Sequence, residues 1–456
     1  MSQHIQTVVG DCDLIVGTEE EVHIAGGSTD TLAALRKLRA LTRATLVLKR
    51  GPMGCTVFPG DIPARLDDGV VGPGFVVEVF NVLGAGDGFM AGFLRGWLRD
   101  EPLERCAAYA NACGALVVSR HGCAPAIPSW IELEHFLAHG SRKTRIRDDA
   151  ALERLHRSTT RRGRWPSLAV LAFDHRTQLE ELAERNGAPR ERIGAFKRLI
   201  ADGARRGAQG AGGAGLILDD RYGADVLPDL TGYGWWIARP VERPGSRPVE
   251  FEAGPNIGLA LRAWPGEHVA KCLVFYHPDD EPVLRDTQLQ RLAQLADACA
   301  VVGRELLVEV IPPRGTDVAA ETIARSMRQM YAAGVAPDWW KLPPSADDRS
   351  WEAVASVVAD HDPHCRGVLV LGLESSEADL VAGFRAAARH PICKGFAVGR
   401  WIFGAAANDW FAGRLDDAEV VNVVASRYAK LAGEWRAAQE AAGRPTEESH
   451  VTREVQ

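Results

Sequence analysis

From residue 166 onward the sequence alternates short, nearly continuous apolar runs with stretches of helix length, eight times over. The runs are "SLAVLAFD", "GLILDD", "GWWIARPVE", "HVAKCLVFY", "ELLVEVIPP", "WWKLPP", "GVLVLGLE" and "GFAVGR". A strand that is apolar along its whole length is buried on both faces, as in a parallel sheet covered by helices. Eight of them in about 270 residues predict a (β/α)8 (TIM) barrel over 166–435. Ahead of it, 136–165 is Arg-rich ("SRKTRIRDD", "RSTTRRGRWP") and reads as a linker or an exposed helix. Beyond it, 436–456 reads as a polar, frayed tail.

In such a barrel the chemistry sits at the C-terminal ends of the strands. There the sequence puts Asp174 with His175 and Arg176, then Asp219 and Asp220, and then Arg239. Lys271, Glu309 and Lys341 follow on successive strands, and Ser375, Gly399 and Arg400 follow the last two. Unpaired buried charge is costly, so Lys271, Glu309 and Lys341, each among apolar neighbours, are expected to face one another in the mouth. Lysine is also scarce, with 8 against 45 arginines. Where lysine stands in an apolar strand of such a chain, a group that can give up its proton is indicated, because arginine does not do so. Lys271 and Lys341 fit this description, and Lys394 in "PICKGFAV" fits it in part. The plainer alternative is a strand-end lysine reaching out to water.

A lysine beside another cation in an apolar setting becomes a nucleophile at neutral pH. With Lys271 as the neighbouring cation, Lys341 is the candidate nucleophile. Its amine would attack a ketone and form a Schiff base, which permits carbon–carbon cleavage. Glu309 and Asp174 are the candidates for proton transfer. Gly399 and Arg400, with Ser375, stand where barrels commonly bind phosphate.

Residues 1–135 read as a smaller α/β segment. "CDLIVG", "ATLVLKRG", "GCTVFPG" and "GFVVEVF" are the expected strands, and "STDTLAALRKLRAL", "GDGFMAGFLRGWLRD" and "LERCAAYANACGALVVSR" have helical periodicity. The sharpest motif is "NVLGAGDGFMAGFL" at 81–94. Its glycines let the backbone approach a ligand, and N–H groups at a helix start favour an anion. Asp87, at that start, is placed to accept a proton from a hydroxyl attacking a phosphoryl group. The plainer alternative is a glycine turn with a capping aspartate.

With "VGTEEEV", "VLKRGPMGCTVF" and "ANACGALVVSRHGCAPAIPS" around it, this motif resembles the C-terminal half of ribokinase-like (PfkB-type) sugar kinases of the 5-dehydro-2-deoxygluconokinase kind. The resemblance implies ATP and magnesium, with Asp87 as catalytic base and Gly84, Ala85 and Gly86 as anion hole. It implies a role for Glu21 in the N-x-x-E motif, here with Thr18 in place of asparagine, and puts Lys49, Gly51 and Gly54 beside the nucleotide. It also implies that only half of the kinase domain is present. A sheet edge and an apolar face are then expected to be exposed, and either the true start lies upstream, a partner polypeptide supplies the missing kinase half, or the segment is a remnant.

The barrel half resembles class I aldolases of the tagatose-bisphosphate aldolase type. "FDHRTQLEEL", "LILDDRYGADVL", "KCLVFYHPDD", "LLVEVI", "WWKLPP" and "VGRWIFGAAANDW" come in their order. It is more similar still to the DUF2090 domain fused behind the kinase of bacterial inositol catabolism. The resemblance implies that Lys341 is the Schiff-base lysine, that Lys271 and Glu309 line the same site, and that Asp174 ends the first strand beside them. No cofactor or metal is implied for the barrel. The implied substrate is a phosphorylated keto-deoxy sugar acid, 6-phospho-5-dehydro-2-deoxygluconate, split into dihydroxyacetone phosphate and malonate semialdehyde. Arg176, Arg221 and Arg239 all remain open as the residue that holds its carboxylate.

Other function classes are disfavoured. The net charge is −7 with no large basic block, against a nucleic-acid surface. No apolar run reaches the roughly 18 residues of a membrane span. Nine scattered cysteines without a C-x-x-C spacing point to reduced thiols and a cytoplasmic protein. A homo-oligomer is expected. Two alternatives stay open for the barrel. One is a metal-dependent lyase or isomerase built on Asp174, His175, Asp219 and His277. The other is a non-catalytic domain that stabilises or regulates the kinase.

Overall fold

The structure, a computed structural model, describes residues 2–161, 163–208, 213–316, 318–373 and 375–444. The chain divides into two units, residues 1–161 and 162–456.

In the first unit, β-branched and leucine-rich runs form β1 (Leu14–Thr18), β2 (Thr45–Lys49), β3 (Cys55–Phe58) and β4 (Val70–Gly72), in that spatial order. β1 and β2 are parallel, with Leu14 opposite Thr45. A parallel pair needs a crossover, and the helices Glu19–Gly26 and Thr31–Arg39 provide it. β3 and β4 then pair antiparallel. The pleat sends Leu46, Leu48 and Phe58 to one face, against Val22, Leu35 and Leu38. Val47, Cys55 and Val57 go to the other, against Phe89, Phe93 and Ala107. Phe89 and Phe93 come from the helix Ala85–Trp97, and Ala107 comes from the helix Leu103–Val118. These helices touch closely at Gly92, where a Cβ would lie 2.5 Å from the Tyr109 carbonyl oxygen.

Two expectations need correcting here. "GFVVEVF" is not a strand; the sheet ends at Gly72. The backbone beyond it bonds outside the sheet, Glu78 N–H to Thr144 and Phe80 N–H to Val118. Its apolar side chains Val76, Val79, Phe80, Val82 and Leu83 are exposed. The Arg-rich stretch is also more ordered than a linker. It contains the helix Ala150–Thr159, whose Leu152 packs with Leu116, Phe136 and Ile146.

The second unit is a closed barrel of eight parallel strands. They are β5 (Leu168–Ala172), β6 (Ala214–Ile217), β7 (Trp236–Pro240), β8 (His268–Phe275), β9 (Leu306–Ile311), β10 (Trp339–Leu342), β11 (Gly367–Leu371) and β12 (Cys393–Val398). Each follows from one of the eight apolar runs. Side chains alternate between interior and helix layer. Val170, Ile217, Trp236, Val269, Leu307, Trp339 and Leu369 fill the interior. Leu171, Leu216, Ile237, Val308 and Trp340 meet the surrounding helices. The helix Asp417–Ala441 covers one side, and its Tyr428 hydroxyl donates to the Ala169 carbonyl at 2.7 Å. This helix carries order past the expected start of the tail, since Ala438 and Gln439 are buried. Residues 445–456 of that tail lie outside the described residues.

Among the described residues, no helix is long and apolar enough to cross a membrane. All nine cysteines carry free thiols.

Candidate active site

The alternation that fills the barrel also sets its chemistry. Lys271 lies two residues past Val269, Glu309 two past Leu307, Lys341 two past Trp339, and Asp174 two past Ala172. All four therefore share the interior, one layer above an apolar floor. They meet there. Lys271 Nζ is 2.8 Å from Asp174 Oδ2 and 3.1 Å from Glu309 Oε2. Lys341 Nζ is 2.9 Å from Glu309 Oε1. One carboxylate thus bridges the two lysines, and all four side chains are buried.

A residue that the sequence did not flag completes the cluster. Glu242 lies just past β7, and its Oε1 accepts from Lys271 Nζ at 2.9 Å. The signal was the period of two. Trp236 and Ala238 face inward, so Pro240 and Glu242 follow them, and Arg239 between them points to the helix layer. There Arg239 pairs with Asp220 and stacks on Trp264 at 3.9 Å, away from the mouth. Arg221 is exposed and pairs with Glu180 at 3.4 Å. Arg176 is buried, donating to the Glu242 carbonyl at 3.1 Å and pairing with Glu252 at 2.8 Å. Of the three arginines considered for a substrate carboxylate, only Arg176 borders the cluster.

The charges settle one another. Burial pushes the Lys271 ammonium down, but Asp174, Glu242 and Glu309 outweigh it and hold it well above the ordinary lysine range. Burial pushes Asp174 and Glu309 up, and the lysines overcome this and keep both below the ordinary carboxylate range. Glu242 goes the other way, because burial wins and raises it. His175, next to Asp174, is pushed down to about 4 by burial and is neutral at pH 7. It sits edge-on to Phe403.

Two of the residues considered for a metal are held by lysines, while the buried His175 Nδ1 has no hydrogen-bond partner among the described residues. Asp174 belongs to Lys271, and Asp219 accepts from the buried Lys197, a lysine the strand-based argument overlooked because it sits on the helix Arg192–Gly207. His277 lies in the turn past β8, beside Asp279. Among the described residues, no group of three or more ligating side chains is placed to hold an ion. Lys394 is at the opposite end of its strand from the mouth, over Gly367.

At the exits of β11 and β12 are Ser375, whose N–H donates to the Gly372 carbonyl at 3.2 Å, and Gly399, which precedes the helix Arg400–Phe411. A Cβ on Gly399 would lie 2.0 Å from the Ala172 carbonyl oxygen and 2.8 Å from His175 Cε1. Only glycine lets the backbone pass so close to the β5 exit. A separate cavity of about 270 Å³ lies beside the β10 exit, lined by Ile323, Leu342, Pro344, Ser350 and Trp351. The lysine cluster does not line it.

In the first unit, Gly84 has φ +83° and precedes the helix at Ala85, with Asp87 exposed in the first turn. A Cβ on Gly84 would lie 2.4 Å from Cys123 Sγ, so the 119–128 loop closes on this turn. Lys49 Nζ is 3.7 Å from where a Gly86 Cβ would stand, and 3.6 Å from Glu21 Oε2. Thr18 and Glu21 form a reciprocal helix cap, whose Thr18 N–H holds Glu21 below the usual carboxylate range. Gly51 and Gly54, both at positive φ, flank the turn after β2. Glu21, Lys49 and the glycine turn thus lie around one end of the sheet.

Comparison with known proteins also divides the chain in two, with the boundary near residue 131 instead of 161. Residues 132–439 match the family described as "Uncharacterized protein conserved in bacteria (DUF2090)", and residues 1–130 match the pfkB family carbohydrate kinases. The 5-dehydro-2-deoxygluconokinase of Geobacillus kaustophilus (strain HTA426) is 29% identical over 130 residues, 28% of this chain and 37% of that protein. The ATP-dependent ribose-1-phosphate kinase of Halopiger xanaduensis (strain DSM 18323 / JCM 14033 / SH-6) is 54% identical over 52 residues, 11% of this chain and 18% of that one. The chain therefore spans well under half the length of these curated relatives. A fructose-bisphosphate aldolase from Plasmodium falciparum, solved in complex with TRAP and a small molecule inhibitor, aligns over 66% of this chain and 97% of its own. That likeness has a TM-score of 0.48 and 13% identity.

Proposed function

The chain belongs to the DUF2090 family, with a pfkB-type carbohydrate kinase segment ahead of its barrel, and we propose that the barrel is a Schiff-base aldolase acting on the product of the kinase reaction. One observation carries this reading. Lys341 and Lys271 are joined through a single carboxylate, Glu309, at the C-terminal end of the barrel. A lysine paired only to stabilise the fold has no need of a second buried lysine on the same glutamate. A nucleophile does need a proton acceptor and a fixed cation at hand.

In this mechanism Glu309 takes a proton from Lys341, whose amine attacks the substrate ketone. Loss of water gives the iminium. Asp174 then removes the proton of the hydroxyl next to the bond that breaks, and the iminium takes up the electron pair. Lys271, kept charged by the acidic groups around it, stabilises the oxyanions along the way. Ser375, Gly399 and Arg400 hold the phosphate, and Arg176 is the nearest arginine for a carboxylate. The proposed substrate is 6-phospho-5-dehydro-2-deoxygluconate, giving dihydroxyacetone phosphate and malonate semialdehyde, a step of inositol catabolism in the cytoplasm.

For the first unit the proposal is transfer of a phosphoryl group from ATP, with Asp87 as base and the Gly84–Gly86 turn as anion hole. Magnesium, carried with ATP, would add positive charge at the phosphates. The Glu21–Lys49 pair, lying by the turn, fits that use.

The test is borohydride reduction in the presence of dihydroxyacetone phosphate, followed by peptide mass spectrometry. The expected result is a single adduct on Lys341, absent from Lys341→Arg. A folded protein that binds the ligand and yields no adduct rules out the Schiff base.

A further inference from the structure

Three carboxyl groups, Asp174, Glu242 and Glu309, surround the ammonium of Lys271 at 2.8, 2.9 and 3.1 Å. Carboxylates crowded around one cation do not all ionise equally. Their cationic contacts separate them. Asp174 is bonded by Lys271, and Glu309 has Lys341 at Oε1 and, at Oε2, the Lys271 ammonium 3.1 Å away as an ion pair without a hydrogen bond. In Glu242, both donors, Lys271 and Arg176, reach the same atom, Oε1. Its Oε2 is buried and without a partner. An ionised oxygen left in that state is far more costly than a neutral hydroxyl.

We propose that Glu242 is the proton store of the barrel mouth, a positioning residue that carries a proton on Oε2 and supplies it through Lys271. The groups facing it are Asp174 and Arg176 at the β5 exit, Lys271 and the neighbouring Cys272 on β8, Glu309 on β9, and Glu252 through Arg176. Burial, which raises Glu242 while its two neighbours are held low, agrees with this.

The inference rests on the Schiff-base reading for its use, and the proton inventory then balances. Lys341 gives a proton to Glu309 as its nitrogen bonds to the carbonyl carbon, and a second proton moves from that nitrogen to the former carbonyl oxygen to give the carbinolamine hydroxyl. The carbon–oxygen bond of the carbinolamine breaks, and the hydroxyl leaves as water with a proton from Lys271. Glu242 turns about its terminal torsion and protonates the Lys271 nitrogen. Glu309 passes its proton back through Lys271 and restores Glu242. One ammonium and one ketone give one iminium and one water, with no net gain or loss of a proton. Without the store, Lys271 would stay uncharged beside Asp174 until Glu309 returned its proton.

The experiment uses the full chain, with two independent readouts. The first is the infrared difference between wild type and Glu242→Gln at neutral pH. The expected result is a protonated-carboxyl band in the wild type that the variant lacks; no such band overturns the proposal. If the Gln variant does not fold, Glu242→Asp is used, and the band is expected to shift instead of vanish. The second is the rate of borohydride-trapped adduct formation with dihydroxyacetone phosphate across pH. In wild type the rate falls at high pH as the store empties. In Glu242→Gln it is at least ~10-fold slower and has lost that alkaline fall, with ligand affinity unchanged. Glu242→Asp, which keeps a carboxyl, recovers part of the rate. Equal rates and equal pH profiles overturn the proposal. A wild type that shows the band but forms no adduct refutes the Schiff base and leaves the proton on Glu242 standing.

Discussion

Replacing Lys271 with methionine tests the electrostatic account of the barrel mouth directly. Methionine keeps the apolar stem and removes the charge. Asp174, Glu242 and Glu309 then lose their common partner, which in the wild type is within 2.8 to 3.1 Å of each. Removing one member of a buried, paired set costs about 3–5 kcal/mol, because the charges left behind are uncompensated. That cost depends on pH, and its sign can be worked out. In the wild type, burial raises Asp174 and Glu309, but the lysines outweigh it and hold both low. Depressed carboxylates contribute fully above their unfolded pKa values of about 3.9 and 4.3, and the contribution is lost as pH falls through the folded values. In the variant, burial acts with less opposition and ionisation is penalised. Below about pH 4 the carboxyls bind protons in both states and most of the penalty disappears. The gap between wild type and variant is therefore largest near neutral pH and shrinks on acidification. Urea unfolding, followed by tryptophan fluorescence at about pH 7 and about pH 4.5, measures it, because Trp339 and Trp340 are fully buried beside the cluster and report on the barrel. A gap below about 1 kcal/mol near neutrality, or one equal at both pH values, would refute the reasoning.

Further predictions concern the floor, the phosphate exit and the first unit. Trp339→Ala empties the barrel floor against Trp236 (ring centroids 5.7 Å apart) and should cost about 3–5 kcal/mol by urea unfolding. Gly399→Ala forces a methyl group to within 2.0 Å of the Ala172 carbonyl. It should destabilise the barrel and weaken phosphate binding by isothermal calorimetry; unchanged binding and stability would remove Gly399 from the phosphate site. Gly84→Ala meets both a positive φ and Cys123 Sγ at 2.4 Å. It should lower the melting temperature of the first unit, whereas Asp87→Asn, at an exposed position, should shift unfolding by less than about 0.5 kcal/mol.

How far the sequence anticipated this structure depends on which physical signal each element carries. All eight barrel strands were readable, because a strand buried on both faces cannot hide its apolar continuity. The fourth strand of the first unit was not. "GFVVEVF" has the composition of a strand, but composition does not say where the backbone hydrogen bonds go, and here they go to Thr144 and Val118. The Arg-rich stretch misled in the opposite sense. Two of its arginines, Arg145 and Arg147, pair with Glu78, while Leu152 and Leu155 on one helix face do the packing.

Lysine scarcity and strand parity, taken together, carry more than either alone. Scarcity selected Lys271 and Lys341, but it also selected Lys394, because it counts residues without regard to their position along a strand. It passed over Lys197, which is fully buried but lies on a helix, where a long polar side chain is unremarkable in sequence. Parity separates these cases. Counting in twos from Trp236 leads to Glu242 and excludes Arg239, and counting from Val269, Leu307 and Trp339 leads to Lys271, Glu309 and Lys341. Counting back in twos from the floor residue Ala397 reaches Gly395 and skips Lys394, which lies at the foot of β12. A charged residue is therefore a candidate for the chemistry when it keeps step with the apolar floor of its own strand and lies past it toward the C-terminal end. By that criterion Glu242 ranks with the two lysines, and its proton is the quantity to measure next.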